Sequence, residues 1–208
     1  MYKKFIKRLL DFLLALIATP FVLLVIAIMA PFIYLEDRGP VFYNATRRGK
    51  DGKNFKMFKL RSMYVNAPDL RNADGSTFNS ANDPRVTKIG KFMRKTSIDE
   101  LPQILNVLIG DMSFIGPRPV TVSVPYEQLP EINQRRLAMR PGITGYAQAY
   151  YRNSIGKMEK YQYDCYYVDN VSFVMDVKVI LQTVKSVVKR ENIYVSAEEK
   201  PKETVETK

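Results

Sequence analysis

Asp99 and Glu100 are adjacent carboxylates with Arg94 and Lys95 just upstream. Arg118 follows inside Gly116-Pro117-Arg118-Pro119, a stiff Pro-flanked turn. Acids near a helix start have an ordinary use, since they complement the helix dipole. A carboxylate among fixed cations also suits phosphoryl chemistry. The cations and helix N-terminal amides hold phosphate oxygens, while the carboxylate attacks phosphorus or holds Mg²⁺. Adjacent residues on a helix do not share a face, so Asp99 and Glu100 are expected to have different jobs. Arg118 has two readings, a structural partner for Asp111 or a planar fork for a diphosphate. The sequence alone leaves both open.

These groups stand out because others are missing. The 208 residues include no His and one Cys, and 32 Lys+Arg against 21 Asp+Glu give a formal charge of +11. Without His there is no Ser-His-Asp triad and no His-ligated metal. One Cys excludes an intrachain disulfide and a Cys-rich zinc site. Cys165 lies among Tyr163, Tyr166 and Tyr167 and is expected to pack rather than react. No P-loop and no G-x-G-x-x-G appears. The positive balance calls for an anionic partner: nucleic acid, phospholipid head groups or a phosphorylated substrate.

The elements that position this chemistry begin with an apolar N-terminus. Phe12 to Leu35 is a run of 24 residues without charge, about 36 Å as a helix and enough for a bilayer core. It is too long for a signal-peptide h-region. Basic residues flank both ends, Lys3 to Arg8 before and Arg38 to Lys59 after. A single span puts one flank outside, against the positive-inside tendency, whereas a re-entrant helix keeps both inside. Pro20 and Pro31 supply bends, and the Thr19 hydroxyl can bond a freed carbonyl. A kinked span stays open beside the re-entrant reading.

Beyond Gly39-Pro40, Val41 to Tyr43 and Phe55 to Arg61 read as strands, with Asp51-Gly52 at a hairpin turn. Strict alternation fails at Met57-Phe58, so a bulge or a helical reading stays open there. Val65 to Arg85 reads as a long polar loop. Val86 to Lys95 is basic and partly helical, and Ser97 with Glu100 fits a capping box for a helix ended by Gly110. Glu127 to Met139 and Met175 to Arg190 read as further helices, the second amphipathic and basic. Gly142 to Tyr151 looks extended or looped. The charged tail is expected to be disordered.

Seven ordered strings now converge. They are Lys7-Arg8-x-x-Asp11, Gly39-Pro40-Val41-Phe42, Lys59-Leu60-Arg61-Ser62-Met63, Asp83-Pro84-Arg85-Val86, Asp99-Glu100-Leu101-Pro102-Gln103, Ser113 to Pro119 and Arg140-Pro141-Gly142-Ile143-Thr144-Gly145. Together, and to about residue 191, they resemble the bacterial sugar transferases, the monotopic polyprenyl-phosphate phosphoglycosyl transferases, in their minimal form. The resemblance implies transfer of a phospho-sugar from a UDP-sugar to polyprenyl (undecaprenyl) phosphate with release of UMP, as the initiating step of a surface glycan pathway. It implies Mg²⁺ and a covalent phospho-sugar intermediate on Asp99, which would also meet the metal. Glu100 is its dyad partner. Arg94 matches a phosphate-contacting Arg, and Lys59 and Arg118 match basic residues of the active-site region. The family's membrane helix is re-entrant and broken at Ser-Pro, for which this chain has Thr19-Pro20.

The expected fold class is α+β: a re-entrant membrane helix over 1–36, a small, mainly helical catalytic domain with a short hairpin and surface amphipathic helices over 37–191, and a disordered tail over 192–208. The expected location is the bacterial inner membrane with the domain on the cytoplasmic face, in contact with membrane lipid and not nucleic acid. The donor pocket is expected to draw on Gly142 to Ser154 and on the Val65 to Arg85 loop. The rival class is a membrane-tethered basic module for anionic lipid or nucleic acid without catalysis, with a steep salt dependence. No recognition-helix or base-stacking motif supports it.

Overall fold

The first long element, α1 (Lys7–Asp37), follows a π-helical lead-in over Tyr2–Ile6 and runs as one helix through Pro20 and Pro31. The computed structural model describes residues 1–70, 78, 80, 82–152 and 154–189. The tail expected to be disordered, and part of the polar stretch between Val65 and Arg85, lie outside the described residues.

One stripe of α1 is buried: Lys7, Asp11, Ala15, Val22, Met29 and Ile33, spaced by four or seven along the helix. That spacing puts them on one face. Ala15 joins Phe55, Val107 and Met112 in one core cluster, and Met29 and Ile33 join Leu60 and Met93 in another. The apolar run therefore supplies core as well as surface. Its other faces expose large apolar residues such as Ile17, Phe21, Leu24 and Leu35. By length and composition α1 is long and apolar enough to cross a membrane. Thr19 Oγ1 donates to Ala15 O at 2.7 Å. The carbonyl that Pro20 deprives of its donor belongs to Leu16, so the hydroxyl back-bonds one position short of it.

Helix α1 stops at Arg38, which is left-handed at φ 55 and donates its backbone N–H to Tyr34 O at 2.7 Å. Strands β1 (Ala45–Arg48) and β2 (Asn54–Met57) form an antiparallel hairpin that turns, as expected, at Asp51-Gly52, both at positive φ, but its first strand is Ala45–Arg48 and not the expected Val41–Tyr43. Strand β4 (Val120–Thr121) adds to the other edge of β1. The reading of one strand over Phe55–Arg61 is corrected: the regular strand ends at Met57. Asn106, fully buried, breaks the ladder there. Its Oδ1 accepts from Phe58 N at 2.8 Å, and its Nδ2 donates to Lys56 O at 2.8 Å. The chain then resumes beside Val41–Tyr43 through a bridge of Phe42 with Leu60.

Next come α2 (Lys88–Thr96), a 3₁₀ turn over Ile98–Glu100 and α3 (Gln103–Ile109), ended by left-handed Gly110. The capping box at Ser97 does not form. Ser97 is itself left-handed, at φ 59, and closes the end of α2 by donating its N–H to Met93 O. The true cap of α2 is Thr87, whose side chain accepts from Gly90 N at 2.9 Å.

Strands β3 (Ser113–Ile115) and β5 (Gly142–Thr144) pair in parallel. Between β4 and β5, the helix expected over 127–139 is reduced to a 3₁₀ turn at Tyr126–Gln128 and α4 (Glu131–Arg136). Pro130 separates them by forcing Leu129 into an extended conformation. Of the stretch expected to be extended or looped, Gly142–Thr144 is strand, while the part from Tyr146 is the short helix α5 (Tyr146–Tyr150). Then follow α6 (Lys157–Asp169), whose crowd of Tyr residues blurs any apolar period, and α7 (Phe173–Lys189). The third core cluster joins Ile115, Met139, Ala149, Tyr167, Val168 and Val179. Helix α7 turns a mostly polar stripe, Asp176, Val179 and Ser186, inward. It leaves Ile180, Leu181, Val184 and Val187 exposed.

Candidate active site

Lys59 joins the two carboxylates. Its Nζ lies 2.9 Å from Asp99 Oδ2 and 3.2 Å from Glu100 Oε1. The backbone sets this up. Leu60 N–H donates to Asp99 O at 3.0 Å, while Lys59 O and Arg61 N bond Tyr43 N and Val41 O on the other side. The 3₁₀ turn then brings both acids to one ammonium, so the expectation that neighbours on a helix face apart does not hold here. Their exposures differ: the Asp99 side chain keeps 4% and the Glu100 side chain 29%. Asp99 is thus a buried group and Glu100 a partly exposed one.

The charges are mutually stabilised. Burial alone would push the Lys59 ammonium down, but Glu100 and Asp99 more than offset it and hold its pKa above the ordinary lysine value. Burial would likewise raise Glu100, yet Lys59, Arg118 and Arg94 hold it below the usual carboxylate range. Lys59, Glu100, Arg118 and Arg94 therefore act on one electrostatic field.

Arg94 occupies the last turn of α2, where Nε donates to Ser62 Oγ at 3.0 Å. Helix α2 lies so close to the Lys59–Ser62 segment that a Cβ on Gly90 would sit 2.0 Å from Ser62 O. Only glycine allows that approach. Arg118 stands exposed on the turn between β3 and β4. Its pairing with Asp111 does not form; Asp111 instead takes a long contact of 3.5 Å from Asn106 Nδ2. The turn is held by Gly116 N to Thr144 O at 2.9 Å and Gly142 N to Pro117 O at 3.0 Å. A Cβ on Gly142 would meet Gly116 N at 2.1 Å, so the two strings pack backbone to backbone.

The structure thus brings Lys59, Asp99 and Glu100 into contact and places the charges of Arg94 and Arg118 around them. Thr19 bonds back within α1, Pro20 lies inside the same helix, and neither takes part in this cluster. Cys165 is buried, and burial pushes its thiol up. For Mg²⁺, no group of three or more acidic, Cys or His side chains gathers among the described residues. One or two carboxylates suffice for this ion when substrate phosphates and waters complete its shell. Asp99 with Glu100 fits that donor set.

Sequence reading missed the supporting side chains. Ser62 and Asn106 were not singled out, nor was Asp37, which takes both terminal nitrogens of Arg61 at 2.5 and 2.6 Å. Arg136 and Asp164 form a buried ion pair at 2.6 Å, each side chain 3% exposed. The signals for Ser62 and Arg61 were their places inside the Lys59–Met63 string. Asn106, Asp37, Arg136 and Asp164 carried no local signal.

A protein-family model described as bacterial sugar transferase matches residues 2–190. Among curated proteins, the chain is 42% identical over 192 residues to the galactosyl transferase CpsE of Streptococcus agalactiae, covering 87% of this chain and 42% of that one. It is 43% identical to the exopolysaccharide production protein PSS of Rhizobium leguminosarum, covering 82% and 87%. It is 40% identical to the UDP-glucose:undecaprenyl-phosphate glucose-1-phosphate transferase of Escherichia coli, covering 87% and 40%. The chain spans about two fifths of the length of the first and third and most of the second.

Proposed function

We propose that this chain, which belongs to the bacterial sugar transferase family, moves a sugar phosphate from a UDP-sugar to polyprenyl phosphate and releases UMP. The observation that carries the reading is Lys59 held between Asp99 and Glu100, with Arg94 and Arg118 acting on the same field. Such a site holds an ionised carboxylate beside cations that accept a diphosphate. Similarity to a glucose-1-phosphate transferase acting on undecaprenyl phosphate supports the substrate classes.

In this reading an Asp99 carboxylate oxygen attacks the phosphorus that bears the sugar. The bond from that phosphorus to the UMP oxygen breaks, and UMP leaves with the electron pair. A polyprenyl phosphate oxygen then attacks the same phosphorus and the Asp99–phosphorus bond breaks, returning the carboxylate. Lys59 orients Asp99, and Arg118 and Arg94 offset charge on the phosphate oxygens. Glu100, more exposed, stands where the phosphates enter. Mg²⁺, held by Asp99 and Glu100 together with substrate, would supply further charge neutralisation.

The acceptor is a lipid, so the site belongs at a bilayer surface. The outer faces of α1 and α7 are apolar and exposed, which supports membrane association. Basic residues at both ends of α1 support a re-entrant path, with the domain on the cytoplasmic side of the inner membrane.

The test uses purified full chain with polyprenyl phosphate and a panel of UDP-sugars. We expect UMP release by the native protein, none by Asp99→Asn still partitioned to membrane, and a hexose-phosphate mass increment on the Asp99 peptide when acceptor is withheld. Normal turnover by Asp99→Asn would refute the mechanism. Labelling of a cysteine placed before Lys3 from the periplasmic side would refute the re-entrant path.

A further inference from the structure

The Arg118 turn is gripped from two sides. Below it, β3 and β5 bond Gly116 and Pro117 through Thr144 and Gly142. On the other side lies the Arg136–Asp164 pair, contributed by α4 and α6. Arg136 gives two hydrogen bonds to Asp164 Oδ2, at 2.9 and 2.6 Å, and its Nη2 also donates to Arg118 O at 3.2 Å. Burial pushes the Asp164 carboxyl above its ordinary value, and Arg136 together with the backbone N–H of Arg118 pulls against that rise. The Arg118 carbonyl is thus tied directly to the ion pair. Arg136 is itself fixed, with its guanidinium carbon 3.9 Å from the centre of the Tyr161 ring.

Neither Arg136 nor Asp164 touches the Lys59–Asp99–Glu100 cluster, and neither was needed to describe the chemistry. A buried ion pair is weak evidence for stability, because desolvating two charges offsets much of their attraction. Prolines at 117 and 119 fix φ on both sides of Arg118. The peptide planes flanking Arg118 still need an external reference to aim an exposed guanidinium at a diphosphate.

We propose that Arg136 and Asp164 are positioning residues that hold the Arg118 backbone so that its guanidinium meets the nucleoside diphosphate of the donor. This rests on the transferase reading above and extends it to a pair remote from the reacting atoms. An orienting partner of this kind is worth an appreciable share of the bond it aims, because a misaligned Arg loses its bidentate geometry.

The test is a double-mutant cycle on full-length protein, with UDP as the probe and equilibrium affinity as the readout. UMP release by the native protein and the thermal midpoint are measured alongside. Arg118→Ala is expected to weaken UDP binding about tenfold, about 1.4 kcal/mol. The neutral double variant Arg136→Met with Asp164→Leu removes both buried charges together, which favours a folded product. It is expected to lose a similar factor, and adding Arg118→Ala is expected to cost nothing further. Multiplying losses, or unchanged affinity in a folded double variant, would reduce the pair to a structural ion pair and overturn the proposal. So would an Arg118→Ala protein that binds UDP normally. If the losses multiply while UMP is still released, only the clamp fails. If the native protein releases no UMP from any donor, the transferase reading fails instead.

Discussion

Asp37, on the last turn of α1, closes both carboxylate oxygens on the guanidinium of Arg61. Arg61 stands two residues after Lys59, and its Nε and Nη1 also donate to Pro40 O and Met63 O. The end of the apolar helix and the segment carrying the lysine of the site are therefore one rigid unit. A lipid phosphate delivered along α1 would arrive at a height fixed relative to Asp99 by this pair.

Removing the acid from that unit leaves a buried guanidinium without its counter-charge, since the Arg61 side chain is 6% exposed. Asp37→Ala is expected to destabilise the protein by about 3 kcal/mol. Thermal unfolding in detergent checks it. A midpoint unchanged from the native protein would show that the carbonyls of Ile33, Pro40 and Met63 suffice to hold Arg61.

Lys59→Met removes the cation shared by both acids. UMP release is expected to fall about 100-fold, the scale of losing one preorganised charge partner. The pH profile adds a sign. Burial raises the Glu100 pKa, and Lys59, with Arg118 and Arg94, brings it below the ordinary value. Taking Lys59 away lets burial act with less opposition, so the pKa rises. The acid limb of the residual kcat/KM should therefore move to higher pH. A profile that keeps its acid limb in place would detach Glu100 from the titration that controls turnover.

What was legible in the sequence was local. Asp99 and Glu100 stood out because two adjacent acids follow Arg94-Lys95 within a few residues, and the hairpin turn because Asp51-Gly52 has few other uses. The Ser97 cap misled because Ser-x-x-Glu satisfies the local pattern equally well when the preceding helix runs one residue further, to Thr96, and takes Ser97 as its own left-handed end. The failed alternation at Met57-Phe58 was a true signal whose cause, Asn106, lies 48 residues from Phe58. The Arg136–Asp164 contact joins residues 28 apart. The inward polar stripe of α7 is set by the Tyr167 and Lys7 partners of Asp176, which no periodicity along α7 reports.

Gly90 tests the packing of α2 on the site. Gly90→Ala puts a methyl 2.0 Å from Ser62 O, a backbone atom that cannot swing away. Helix α2 must shift, carrying the Arg94 bond to Ser62 with it. A loss of about 1–3 kcal/mol is expected, as for overpacked cores, together with a raised KM for the donor. Gly156→Ala, where nothing lies within 4 Å, is the control and should leave both unchanged. Equal effects at the two positions would mean that the approach of α2 is not what Gly90 provides.

The start of α1 offers the sharpest contrast between a broken and a removed charge pair. Lys7 Nζ lies 2.8 Å from Asp176 Oδ2, both side chains 7% exposed, and the same carboxylate accepts from the hydroxyls of Tyr2 and Tyr167. Lys7→Met strands a buried carboxylate whose remaining partners are neutral, and should cost about 3–5 kcal/mol. Adding Asp176→Leu removes that charge and fills its volume, so the double variant should recover much of the loss despite idling two tyrosine hydroxyls. Thermal midpoints of the three proteins decide it. If the second substitution deepens the loss, the network is held by the tyrosine hydrogen bonds and not by the ion pair, and Lys7 serves chiefly to set the depth of α1.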